Sequence, residues 1–200
     1  MDTNHAGQNF DNKIKSVIQE SIKVKDSLGQ QIKSISSIAN LMIEQYQLGK
    51  KVIWFGNGGS ASDSQHLACE LVSRFYLERP ALRSIALTTD TSILTAISND
   101  YDFSQIFSRQ VEALVDPGDV VIGISTSGNS LNVIKGITKA KEIGAVSVSF
   151  TGRDGGELKN ISDYIIRIPS DDVPRIQECH IMIGHILCLL VEETMANTLH

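Results

Sequence analysis

The chain has 200 residues, 42% of them hydrophobic and 20% charged, the balance of a folded domain rather than a disordered one. At about one and a third times a typical domain length, it reads as one domain with elaborations. Eighteen Lys and Arg against 23 Asp and Glu give a net charge of −5, and no basic block supplies the footprint of a nucleic-acid partner.

The N-terminus, Met1-Asp2-Thr3-Asn4-His5, has no basic stretch followed by an apolar one, so nothing points to secretion. Residues 1–50 read as a helical extension. Ile14, Val17, Ile18 and Ile22, then Ile32, Ile35, Ile38, Ala39, Met42 and Ile43, recur at steps of three and four, and Leu28-Gly29 breaks the pattern. Such helices need an apolar partner, from the rest of the domain or from another subunit.

From residue 51 the rhythm becomes short β-rich runs alternating with helical stretches. Strands are predicted at Val52–Phe55, Ser84–Leu87, Val120–Ile124, Val146–Phe150 and Tyr164–Ile168. Helices are predicted at Ser60–Ser73, Thr91–Ser98, Phe103–Ala113, Ser130–Ile143, Gly156–Lys159 and Arg175–Thr194. Continuously apolar strands separated by helices predict a three-layer α/β/α domain around a five-stranded parallel sheet. The longest apolar run, Ile181–Val191, is eleven residues and includes His185, too short to span a bilayer. Cys69, Cys179 and Cys188 show no CxxC spacing and read as small buried hydrophobes in a reduced, cytoplasmic protein. Trp54 reads as core.

In such a sheet, ligands bind where loops leave the carboxyl ends of strands. Strand three empties into Ser125-Thr126-Ser127-Gly128-Asn129-Ser130, four hydroxyls directly before a helix whose free N–H groups favour an anion. The loop lacks the lysine of a P-loop and the spacing of a dinucleotide fold, which suits a sugar phosphomonoester. The competing reading is turn chemistry, with Ser130 as a helix cap. Strand one empties into Gly56-Asn57-Gly58-Gly59-Ser60, where Gly58 and Gly59 make room for a polar ligand or merely shape a turn with Ser60 as N-cap.

His66 and Glu70 stand four apart on one helix, a spacing that places an imidazole and a carboxylate on one metal ion or in an ordinary surface pair. Gln177, His180 and His185 interrupt the apolar last helix, where buried polar groups need partners. The two histidines lie about 140° apart on that helix, and periodicity does not choose between them. A carboxylate and a histidine around a metal could move a proton between adjacent sugar carbons.

The glycine loop, Gln65-His66-Leu67-Ala68-Cys69-Glu70, Ala86-Leu87-Thr88-Thr89-Asp90, Ser98-Asn99-Asp100, Ile124 to Ser130, Thr151-Gly152-Arg153-Asp154-Gly155-Gly156 and Arg175-Ile176-Gln177-Glu178 together resemble the phosphoheptose isomerases of the sugar isomerase (SIS) superfamily. The resemblance spans nearly the whole chain and implies a single flavodoxin-like SIS domain over residues 1–200. It implies interconversion of sedoheptulose 7-phosphate and D-glycero-D-manno-heptose 7-phosphate through a cis-enediol, on the way to lipopolysaccharide heptose. It further implies one zinc per subunit on His66, Glu70, Gln177 and His185, with Glu70 and His185 as base and acid. The substrate contacts it implies are Asn57, Gly58, Gly59, Glu70, Asn99, Asp100, Ser125, Thr126, Ser127, Ser130 and Gln177. A homotetramer with active sites at subunit contacts is implied as well, which would employ the N-terminal helices. His180 is left as a structural or supporting residue. Arg74, four after Glu70, would be its ion-pair partner or an active-site residue. Pro174 stands where some of these isomerases carry an acidic residue, which leaves Asp171 and Asp172 as carboxylates near that point.

Two stretches, Arg74 to Pro80 and Leu94 to Asp100, also resemble a non-catalytic tetrameric SIS protein that binds the bacterial replication initiator. That module is expected to lack the acid at 70 and the histidine at 185, and this chain has both. A sugar-phosphate sensor attached to a DNA-binding domain is disfavoured, since no helix-turn-helix segment precedes the fold and the N-terminal helices are not basic.

Overall fold

Runs that are apolar at every position form strands buried on both faces. In β1 (Val52–Gly56) the alternation sends Val52 and Trp54 into one core and Ile53 and Phe55 into the other. β3 (Val120–Ser125) does the same, with Val120, Ile122 and Ile124 opposite Val121. These strands are central in a computed structural model that describes residues 4–198, and the side chains of residues 10–197. With β2 (Ser84–Ala86), β4 (Val146–Gly152) and β5 (Tyr164–Ile168) they form one parallel sheet in the order β2-β1-β3-β4-β5. The chain leaves β1 for β2 on one side and returns to β3 on the other, so a crevice opens at the carboxyl ends of β1 and β3.

One face is covered by α2 (Ile32–Gln47), α3 (Gly59–Val72) and α8 (Val173–Thr198). The other is covered by α4 (Thr91–Asp100), α5 (Ile106–Leu114), α6 (Leu131–Ile143) and the short α7 (Leu158–Ile161). Trp54 is fully buried, as expected, and its indole N–H donates to Ser84 Oγ at 3.0 Å. α8 is long and apolar enough by composition to cross a membrane. Here it is a core helix, with Ile176, Cys179, Ile183, Leu187 and Val191 fully buried against α2, α3 and the sheet.

The boundaries move for physical reasons. The helix expected at Gly156–Lys159 starts later because Gly155 and Gly156 take φ of 93° and 53°, outside helical space. The one expected over Phe103–Ala113 divides into a 3₁₀ turn, Phe103–Gln105, capped by Asp102, and then α5. α8 begins two residues before Arg175, since Pro174 fits a first turn, where its missing N–H costs nothing. Cys179 and Cys188 are buried, but Cys69 is exposed. The buried stripe of α3 runs through Ser60, Asp63, Ser64, Leu67, Ala68 and Leu71, and position 69 falls off it.

At the N-terminus α1 (Asn4–Asp26) and α2 are joined by a 3₁₀ turn, Ser27–Gln31, at the expected Leu28-Gly29 break. α1 lies along α8. The Arg175 guanidinium donates to the Val17 carbonyl at 3.0 Å, and Ser21 Oγ donates to Glu178 at 2.6 Å. Phe10, Ile14, Ile18 and Ile22 form a stripe on the outer side, each more than half exposed.

Candidate active site

The loops after β1 and β3 are tied together. Asn57 and Asn132 exchange two amide hydrogen bonds, at 2.9 and 2.8 Å. Gly58, at φ 55°, is the residue before α3, and Ser60 lies inside the first turn rather than capping it. Ser130 precedes α6 in extended backbone, but its hydroxyl does not cap that helix. It meets Ser125 Oγ at 2.9 Å instead, and Ser125 Oγ stands 3.4 Å from Ser127 Oγ. Three hydroxyls therefore gather at the N-terminal end of α6, with Thr126 beside them accepting the Gly152 N–H on its carbonyl at 3.0 Å.

The loop after β4 closes over this cluster. Gly128, at φ 68°, passes so near it that a Cβ there would sit 2.2 Å from the Gly155 carbonyl oxygen. The Leu158 N–H donates to the Gly128 carbonyl, and the Glu157 N–H to Asn129 Oδ1. Beside Asn57 and Gly58 lies a cavity of about 170 Å³ that is walled by Thr88, Leu94 and Phe107.

α3 leads from the glycine loop to the second group. Gly59 lies under the Gln177 amide, so close that a Cβ would be 2.9 Å from its Nε2. Gln177 Nε2 donates to Asp63 Oδ1 at 3.1 Å. Burial raises the Asp63 pKa, against the Gln177 hydrogen bond and the nearby His66. One turn further, His66 Nε2 faces His185 Nε2 at 2.9 Å, and Glu70 Oε1 stands 3.4 Å from the same His66 nitrogen. Partial burial and His66 lower the His185 pKa, while Glu70 raises it. Phe75 packs against the His185 ring with centroids 5.6 Å apart. His185 opens on a groove of about 450 Å³ lined by Phe75, Tyr76, Ile181, Met182 and Leu189.

Other expected residues have partners of their own. Asn99 and Asp100 are exposed at the end of α4 and bonded to each other at 2.8 Å. His180 is fully buried, its pKa lowered to about 4 by burial, with Nε2 3.1 Å from the Thr151 carbonyl. Arg74 does not pair with Glu70. α3 ends at Val72, which breaks the four-residue spacing, and Arg74 reaches Glu78 at 3.5 Å. Asp171 pairs with Arg153 at 3.4 Å and Asp172 with Arg175 at 3.7 Å.

Sequence reasoning missed three supporting residues: Asp63, Arg79 and Glu192. Glu192 accepts the N–H groups of Phe75, Tyr76 and Leu77 at 2.7, 2.6 and 2.9 Å, and its partner Arg79 Nε is 3.2 Å away. Arg79 in turn donates to the Glu70 carbonyl at 2.9 Å. The signal was present in an acid within an apolar helix, since a buried charge needs a partner.

The donors suit zinc in kind: two imidazoles, a carboxylate and an amide oxygen. Bound tetrahedrally, two imidazole nitrogens would lie roughly 3.3 Å apart, so the facing pair would open by a few tenths of an ångström. Among the described residues no three His, Cys, Asp or Glu side chains already surround a common point. Here Glu70 and His185 both turn to His66, and Gln177 turns to Asp63.

Residues 17–152 match the SIS domain family, and the chain belongs to that family and, within it, to the phosphoheptose isomerases. Phosphoheptose isomerases from Clostridium acetobutylicum and Aquifex aeolicus are 54% and 55% identical to it, over 92% of this chain in each case and 95% and 97% of theirs. The solved structure of phosphoheptose isomerase from Neisseria gonorrhoeae superposes with a TM-score of 0.88 at 39% identity, covering 92% of this chain and 99% of its own. The chain is accordingly an isomerase, and its sheet and helices are those of the SIS fold.

Proposed function

We propose that this isomerase interconverts sedoheptulose 7-phosphate and D-glycero-D-manno-heptose 7-phosphate through a cis-enediol. The contacts of His66 with His185 and with Glu70 carry the reading, because they bring two imidazoles and a carboxylate into one half-open site. The gathered hydroxyls of Ser125, Ser127 and Ser130 at the start of α6 would take the phosphate.

Starting from the ketose, the Glu70 carboxylate takes a proton from C1 as His185 gives one to the C2 carbonyl oxygen, which forms the enediol. Glu70 then returns its proton to C2, and His185 recovers one from the C1 hydroxyl, leaving the aldehyde. Both groups end as they began. His66, Glu70, Gln177 and His185 would hold one zinc, which when bound polarises the carbonyl as a Lewis acid. Glu70 and His185 are thus given both ligand and proton-transfer roles, and turnover would require their release or a second state.

The protein would act as a cytoplasmic homotetramer. The outward stripe of Phe10, Ile14, Ile18 and Ile22 supports the assembly, and three unpaired thiols suit a reducing compartment. The test is a turnover assay on sedoheptulose 7-phosphate paired with metal analysis. Glu70→Gln and His185→Ala should each lower kcat by about 10²- to 10⁴-fold in folded protein. Wild-type rates in both variants would overturn the site assignment, and undiminished turnover after complete chelation would remove the zinc.

A further inference from the structure

We propose that Asp63 is a positioning residue, which holds the Gln177 amide with its NH₂ turned inward so that the carbonyl oxygen is the end offered to a ligand. Asp63 is buried, and its Oδ1 accepts from Gln177 Nε2 at 3.1 Å. Its other oxygen, Oδ2, is buried and has no hydrogen-bond partner among the described residues. A carboxylate is acceptor-only, so it selects the donor end of an amide, whose two ends are otherwise nearly the same shape. Gly59 completes the fixture, because the amide lies over it with Nε2, Cδ and Oε1 at 2.9, 3.0 and 3.2 Å from where a Cβ would be. A side chain at 59 would expel the amide from this position. The Nε2 bond to Asp63 is the one hydrogen bond of the Gln177 side chain among the described residues, so Oε1 remains free to accept.

An orphan carboxylate oxygen inside a fold is costly, and a purely structural site would be better served by an apolar side chain. The acceptor so presented suits a divalent cation or a sugar hydroxyl. What it accepts from rests on the function proposed above; the orientation itself does not.

Asp63→Asn tests the proposal in the full-length protein. Asparagine can donate or accept, so it satisfies both orientations of Gln177 and removes the choice. Residues that orient a metal ligand typically contribute 10- to 100-fold in affinity. A fall of that size in zinc affinity, measured against a competing chelator, assigns the acceptor to the cation. A rise in KM for sedoheptulose 7-phosphate with kcat and zinc affinity unchanged assigns it to a sugar hydroxyl. In a Gln177→Leu background the same substitution should do nothing further, since Asp63 is held to act through that amide.

A second readout needs neither metal nor substrate. In the wild-type protein one Gln177 side-chain N–H should exchange slowly with solvent by NMR, and Asp63→Ala should abolish that protection. Unchanged protection in Asp63→Ala, or full additivity with Gln177→Leu, overturns the proposal. If the wild type binds no zinc and leaves the sugar unchanged, the proposed function falls, and the amide signal still decides the role of Asp63.

Discussion

The serine-rich loop after β3 and the imidazole pair between α3 and α8 are both reached from the glycine loop, yet they are held by different means. The serine loop is fixed by backbone. Gly128 lies beneath the 152–156 loop, Ser125 is buried, and Asn57 and Asn132 lock the two strand ends together. The imidazole pair depends on side chains of two helices, and the His66 side chain is 49% exposed. Apolar Tyr76 and Met182 stand uncovered around it, at 70% and 37% exposure. The hydroxyl cluster, proposed to take a rigid, fully charged group, is completed within one chain. The imidazole pair, where proton transfer is proposed and water would have to be excluded, is left open here, as expected if a neighbouring copy closes it.

The largest effect should come from the scaffold of the open site. Glu192→Gln would leave Arg79 buried without its anion and loosen the turn that sets Phe75 against His185. About 3–5 kcal/mol of stability should be lost, read by urea denaturation. Burial alone would raise the Glu192 pKa, but the N–H groups of Tyr76, Phe75 and Leu77, with Arg79, hold it below the ordinary 4.5. Its contribution is therefore full above that value and lost as pH falls towards the lower, folded one. The variant should show a flatter acid limb than the wild type below about pH 4.5. Equal limbs would deny Glu192 this role.

On the cradle side, Gly128→Ala forces a Cβ onto the Gly155 carbonyl oxygen in left-handed backbone. A loss on the order of 3 kcal/mol is expected, with the KM for the sugar phosphate rising more than kcat falls. An equal loss of kcat would mean that cradle and imidazoles are one mechanical unit.

The asymmetry also explains what was legible in the sequence. The central strands β1 and β3 could be read as apolar runs, the outer three as short β-rich runs between turn residues, and the serine loop because its four hydroxyls fall within six residues. His66 and Glu70 were visible as a four-residue pair. The choice of His185 over His180 was not, since both interrupt the same apolar helix. Only packing shows His180 sealed against the Thr151 carbonyl while His185 faces His66. Asp63 and Arg79 gave no local signal, and Glu192, an acid in an apolar helix, gave one that did not name its partners, which lie up to 117 residues away in sequence. Local spacing carries no trace of a bond across α3 and α8. Arg74 misled in the opposite direction, for its spacing from Glu70 assumed a helix that had already ended.

If a second copy closes the open site, charge on the outer stripe of α1 should separate the subunits without unfolding them. Ile14→Glu with Ile18→Glu is expected to weaken association by roughly 2 kcal/mol or more per contact. Sedimentation would show a smaller species, with turnover reduced in proportion. An assembly of unchanged size would place the contact elsewhere.

The smallest effect should be the most local. Ser125→Ala removes one hydroxyl from the cluster but leaves Gly128, the Asn57–Asn132 pair and the backbone of α6 in place. Ser130 loses a partner that an incoming phosphate oxygen could replace, so the free protein should lose under about 1 kcal/mol. With a sugar phosphate bound, the missing donor should raise KM by about five- to tenfold while kcat holds, if the reacting carbons sit at the imidazoles as proposed. A drop in kcat instead would mean that the anchor also sets the distance to Glu70, and the two regions would have to be treated as one.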